Sequence, residues 1–241
     1  MASCSALKNV QLDSEALGSA AAKTLTAVSI SDADIVALSA ESVAYMDSTN
    51  KVLTSGAYAE RLARLTKDIQ VDGLQLNFKV YETEEINAFA CGDGSIRVYS
   101  GLMDVMDDDQ LIAIIGHEIG HVVHKDTKAA MKRAYMSSAA RDAVGSVGGL
   151  VQTLSSSVLG DIAENFVSAQ YSQKQEFNAD AYGFSFAVNN NHDKYSMYRA
   201  LNKLTDMNGG STMSKVQKWF SSHPDSGERA SRVKAMADSL E

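Results

Sequence analysis

From Ser31 onward the apolar positions recur at helical intervals. Ile35, Leu38, Val43 and Met46 fall on one side of "SDADIVALSAESVAYMDS", and Ser31 and Asp34 stand in capping-box spacing, which predicts a helix beginning there. "YAERLARLTKDI" predicts a second helix. The period then shortens to two. Leu74, Leu76, Phe78 and Val80 alternate with other residues in "LQLNFKVYE", which predicts a strand. "INAFACGDGSIRVYSG" predicts a hairpin, with apolar strands on either side of the turn "CGDGS". From Asp107 the pattern is helical almost to the end. "DDDQLIAIIGHEIGHVVHKD" opens on aspartates, which the helix dipole favours. Leu111, Ile112, Ile115, Ile119 and Val122 give it the broad apolar face of a central, buried helix. "IAENFVSAQYSQKQEFNADAYGFSFAV" predicts one long helix, and "KYSMYRALNKLTDM" and "SGERASRVKAMADSL" two more. The expected fold is α+β and mostly helical, with a small antiparallel or mixed sheet of about three strands packed on the central helix. A Gly- and Ser-rich segment, residues 145–160, separates two of these helices and either covers a cleft or packs against its neighbours. Residues 1–30, Ser/Ala-rich and weakly patterned, predict a loosely attached or partly disordered N-terminal segment.

Composition sharpens this picture in three respects. One proline, Pro224, in 241 residues agrees with a helix-rich chain. The net charge of −8 repels phosphate backbones and argues against a nucleic-acid partner. Two cysteines, Cys4 and Cys91, rule out a disulfide scaffold. The most apolar long window, "AVGSVGGLVQTLSSSVLGDIA", is too interrupted by polar residues to span a bilayer. In "MASC", two small residues precede Cys4, as in the lipidation site of bacterial lipoproteins, although no signal sequence stands before it. The expectation is a periplasmic lipoprotein of a Gram-negative bacterium, anchored to the membrane through an acylated Cys4.

Three of the five histidines lie within "HEIGHVVH". His117 and His121, four apart on a helix, are separated by about 40° and about 6 Å along the axis, so both rings reach one point. Neutral imidazole is a good zinc ligand, and Glu118 projects beside such a metal, where it can take a proton from bound water. A catalytic zinc also needs a third protein ligand and an open position. Glu176 and Asp180 in "QEFNADAYG" share a helix face; one carboxylate can bind the metal and the other can fix a histidine tautomer. His223, directly before Pro224, is predicted to project from a loop and can stabilise an oxyanion. Arg229 can do the same or clamp a carboxylate.

These motifs give the chain a family likeness. "HEIGH", "EFNAD" and "HPDSGER", with "NAFACGDGSIRVYSGLMD" before them, resemble the zinc metallopeptidases of the HtpX and CAAX prenyl endopeptidase type, which are gluzincins. The likeness runs through most of residues 31–238 and is strongest to the soluble, periplasmic lipoprotein branch. It implies a single zincin-like metallopeptidase domain over 31–241, with one Zn2+ per chain. It implies His117, His121 and Glu176 as zinc ligands, Glu118 as general base, Asp180 as the orienting carboxylate and His223 as a transition-state or substrate contact. The strand Asn87, Ala88, Phe89 and Ala90 is implied to hold extended substrate, with Arg229 a further substrate contact. The chain departs from many relatives at Asp126, where they have histidine, and at Asn178, where they have an acid; neither position is expected to bind metal. The implied activity is endopeptidase action on unfolded or misassembled cell-envelope proteins. The alternative is a catalytically weak zincin that serves as a chaperone or assembly factor for the same proteins.

Overall fold

The computed structural model describes residues 31–139, 154–224 and 227–240. Cys4 and the N-terminal segment lie outside the described residues, as does most of the Gly/Ser-rich segment.

Helix α1 (Asp32–Thr49) starts as its sequence requires: Ser31 and Asp34 exchange capping-box hydrogen bonds, and Ile35, Leu38, Val43 and Met46 are buried. Strand β1 (Val52–Leu53) and helix α2 (Ala57–Thr66) follow, then β2 (Asn77–Tyr81), β3 (Ala88–Ala90) and β4 (Ser95–Tyr99). The sheet has four strands in the order β1-β2-β4-β3. The predicted hairpin is β3 against β4, antiparallel, with Phe89 opposite Arg97. β2 runs parallel to β4, with Val80 opposite Val98, and β1 is antiparallel to β2, so the sheet is mixed. β1 is a two-residue strand, too short for alternation to mark it.

Helix α3 (Ser100–Val105) leads into the central helix α4 (Asp108–Val123). Asp107 and Gln110 form the capping box of α4, and its residues Gln110 to Val122 are all buried. The remaining described helices are α5 (Asp126–Ala139), α6 (Ser156–Val167), α7 (Gln173–Asn189), α8 (Ser196–Asn208), α9 (Met213–Ser222) and α10 (Arg229–Ser239). The single long helix expected over 162–188 is therefore two, α6 and α7. Ser172 ends the continuity because its side chain caps α7, with Gln175 returning the bond. None of the described helices is long and apolar enough to cross a membrane.

Two apolar clusters sit on either face of the sheet. One joins β2, β3 and β4 to α4, α8, α9 and α10 through residues such as Ile96, Val98, Ile115 and Trp219. The other joins Tyr81, Phe89 and Tyr99 to α1, α5 and α6, and it buries the free thiol of Cys91 completely. A charged knot ties α1 to the sheet in that second layer. Asp47 accepts from Arg97 (Nε 2.8 Å), Lys79 (2.7 Å) and Tyr81 (2.8 Å), and the Arg97 side chain is 1% exposed.

Helices α4 and α7 pack unusually close because each offers glycine at the crossing. A Cβ on Gly183 would stand 2.6 Å from the carbonyl oxygen of Ala113 and 2.9 Å from the amide nitrogen of His117. A Cβ on Gly120 would meet Cβ of Tyr182 at 3.0 Å. This contact brings the first turns of α7 to the C-terminal half of α4, where the candidate ligands lie.

Candidate metal centre

His117, Glu118 and His121 come from α4, Glu176 and Asp180 from α7, His223 from the residue after α9, and Arg229 from the start of α10. The His117 Nδ1 donates to Asp180 (2.9 Å) and the His121 Nδ1 to Asp126 (3.0 Å). Carboxylates only accept, so each ring carries a proton on Nδ1 and turns its Nε2 lone pair inward. The two Nε2 atoms face each other at 3.1 Å. Glu176 places Oε1 3.4 Å from the His121 Nε2 and Oε2 3.8 Å from the His117 Nε2. Nδ1 of His223 lies 3.3 Å from the His117 Nε2 and 3.1 Å from Glu176 Oε1. One donor atom from each of His117, His121, Glu176 and His223 lies within 4.8 Å of the others.

Lone pairs and a carboxylate that converge in a buried space repel one another unless a cation sits among them. The nitrogen and oxygen donors suit zinc, and the residues present fit the ion. The two rings differ in protonation. Burial lowers the pKa of His117 to about 4, against the hydrogen bond to Asp180. Burial also works against protonated His121, but hydrogen bonds to Asp126 and Glu176 outweigh it and raise its pKa to about 9. The protonated form is thus favoured at His121 and disfavoured at His117.

Glu118 stands beside this group, not in it. Its Oε1 is buried with no hydrogen-bond partner, 3.5 Å from the His223 Nε2, while the Ala90 backbone amide hydrogen-bonds the carboxylate. Burial raises its pKa against the pull of His223 and His121, which suits a group that must accept a proton and give it back.

Beneath the donors, the Arg229 guanidinium binds both oxygens of Asp180 (2.7 and 2.6 Å) and approaches Glu176 Oε2 at 2.6 Å. Burial pushes both carboxyl pKa values up. Arg229 with His117 overcomes this for Asp180, and His223, His121 and Arg229 overcome it for Glu176, so both stay below their ordinary range. Arg229 is 2% exposed and is held by these two side chains, with its Nη1 also 3.5 Å from the Pro224 carbonyl oxygen. The strand Asn87–Ala90 is the sheet edge nearest α4, and its four side chains are buried, with Asn87 Oδ1 lacking a hydrogen-bond partner.

Several neighbours of the site carry no functional signature in the sequence. Asp126 is the hydrogen-bond partner of His121. Tyr171 stacks on the His121 ring (centroids 3.9 Å apart, 13° between planes) and bonds through its amide to the Ser222 carbonyl (3.1 Å). Trp219 stacks on His223 (4.3 Å, 27°). The box of Ser172 and Gln175 marks the break that brings in Tyr171, and it is visible as S-x-x-Q in the sequence. Exposed His124 lies edge-on to Tyr182, and His192 pairs with Asp109 at 2.6 Å. The donor set is closed from solvent: His117 and His121 are 0% exposed, Glu118 and Glu176 1%, and His223 2%.

Comparison with known proteins agrees with this geometry. The family model described as Peptidase family M48 matches residues 53–237. "Metalloprotease YcaL" of Escherichia coli (strain K12) is 39% identical over 211 residues, covering 86% of this chain and 82% of that protein. "Metalloprotease LoiP" of the same strain is 37% identical over 226 residues, covering 92% and 88%. "Protease HtpX" of Stenotrophomonas maltophilia (strain K279a) is more distant, at 28% over 211 residues, covering 72% and 71%.

Proposed function

The chain belongs to peptidase family M48, a family of zinc metalloproteases, and from that premise we propose that it cleaves peptide bonds in unfolded or misassembled cell-envelope proteins. The observation that carries this reading is the meeting of two inward lone pairs and one carboxylate beside the unpartnered Oε1 of Glu118.

In this reading His117, His121 and Glu176 hold the zinc. An ion held there would supply Lewis-acid chemistry, making a bound water more acidic and polarising the scissile carbonyl. Glu118 takes the proton of the attacking water and passes it to the leaving amine. Asp180 keeps the His117 proton on Nδ1 and so fixes its tautomer, and Arg229 holds Asp180 in place. Nε2 of His223, on the Glu118 side, donates to the oxyanion. The edge β3, with Asn87, Ala88, Phe89 and Ala90, pairs with an extended substrate backbone. Arg229 meets substrate only when its ion pairs open.

Glu118→Gln tests the reading. The variant should keep its zinc and its fold and lose most hydrolysis of an unfolded protein substrate, because an amide cannot accept the water's proton. Unchanged turnover would remove Glu118 from the role. A second reading, a weak protease that acts chiefly as a chaperone, is favoured by the burial of the whole donor set. Suppression of aggregation that persists undiminished in the same Glu118→Gln variant would select it. The location that goes with either reading is the periplasm, with Cys4 acylated; the triplet Ala2-Ser3-Cys4 supports it, and an unmodified Cys4 by mass spectrometry of protein from its host would refute it.

A further inference from the structure

Asp126 sits five residues beyond His121. On one straight helix it would point about 140° away from that ring. It does not, because α4 ends between them. Lys125 takes a left-handed backbone conformation (φ 64°), and its amide bonds back to the Val122 carbonyl (3.0 Å). A non-glycine residue in this region costs about 1 kcal/mol, so the turn is held by its surroundings. What the turn achieves is to fold Asp126, the first residue of α5, back beneath His121, where it is 7% exposed.

The other oxygen of Asp126 is also engaged. Gln175 Nε2 donates to Asp126 Oδ1 at 2.7 Å. The Gln175 carbonyl oxygen in turn accepts from the amide and hydroxyl of Ser172, both at 2.9 Å. Gln175 is the neighbour of Glu176. A continuous chain, Ser172 to Gln175 to Asp126 to His121, therefore runs from the cap of α7 to the second histidine of α4. The two histidines are served differently. The carboxylate behind His117 is bound by a guanidinium, whereas the one behind His121 is bound by the Gln175 side-chain amide.

We propose that Asp126 is the positioning residue for His121 and that Gln175 fixes the Asp126 carboxylate, so that the cap of α7 sets the ligand on α4 in register with Glu176. This rests on His121 being a zinc ligand. Orienting carboxylates of this kind usually contribute 10- to 100-fold in metal affinity.

The test exploits the polarity of the chain. In Asp126→Asn, the side-chain amide that replaces Oδ1 faces the Gln175 amide, donor against donor. In Gln175→Glu, two carboxylates face each other. In the double variant, the new carboxylate at position 175 accepts from the new side-chain amide at position 126 and from Ser172. The side-chain carbonyl at position 126 still accepts from His121, so every bond is restored. Zinc affinity of the full-length protein is measured by competition with a chromophoric chelator. Cobalt(II) substitution adds the visible ligand-field spectrum, which responds to ligand orientation. Each single variant should bind zinc roughly 10- to 100-fold more weakly and shift the cobalt spectrum. The double variant should recover most of both. Parent-like affinity and spectra in both single variants overturn the proposal, and so does a double variant as weak as the sum of the two. His121→Ala separates the premise from the inference: if it retains tight zinc, the ligand assignment itself falls, and if it loses zinc while the Asp126 variants keep it, only the positioning role falls.

Discussion

The donor residues were readable because chemistry and helical spacing coincide in them. His117 with His121 and Glu176 with Asp180 are i,i+4 pairs, and a pair of that spacing declares its shared face in the sequence. His223 has no such spacing and is marked by Pro224 and the motif "HPDSGER", and its ring lies between the donors and Glu118. Asp126 could not be read in this way, because its path to His121 runs through the left-handed turn at Lys125, and a lysine does not advertise that conformation. The role of His223 can be separated from simple packing. His223→Ala should leave zinc in place, since three other donors remain, and should lower turnover by roughly 10²–10³, the scale of losing one oxyanion donor. Steady-state kinetics alongside metal analysis would check both halves, and turnover within a few-fold of the parent would assign the oxyanion to another group.

Most elements followed from periodicity, and the exceptions have identifiable causes. The hairpin, α1 and α4 carry their own start signals in the turn residues and capping boxes. The break between α6 and α7 was concealed by an unbroken run of helix-compatible residues, and only the Ser172–Gln175 cap betrays it. In the sequence Gly120 permits a close approach of another element but does not say which helix makes it. The α4–α7 distance is set by glycine, and there the structure makes a sharp demand. Gly183→Ala would drive a methyl group against backbone atoms at 2.6 and 2.9 Å, which cannot rotate aside as a side chain could. We expect a loss of about 1–3 kcal/mol in stability, measured by urea unfolding, together with weaker zinc binding as Glu176 and Asp180 move off. An unchanged midpoint would show that the helices separate without cost.

For the whole molecule, the knot at Asp47 is what couples α1 to the sheet, and its pH behaviour can be worked out. Burial pushes the Asp47 carboxyl up, but hydrogen bonds from Arg97, Lys79 and Tyr81 outweigh it and hold its pKa below the usual range. A carboxyl so depressed stabilises the fold at every pH above its ordinary value of about 4. That contribution is lost as pH falls through the depressed value. Asp47→Asn should therefore flatten the acid limb of the stability curve and, at neutral pH, cost about 3 kcal/mol by leaving buried Arg97 without its counter-charge. Unfolding midpoints that fall with acid as steeply in the variant as in the parent would contradict this. A small sheet packed on the central helix was expected in outline, while its second covering layer and the knot were not, since Asp47 and Arg97 are joined only by the tertiary fold. The same layer holds Cys91, wholly enclosed between the hairpin turn and α1. An alkylating reagent can reach that sulfur only during the moments when the layer that contains α1 opens from the sheet. The labelling rate at Cys91 is thus a clock for that opening, and loosening the knot at Asp47 should make it run faster.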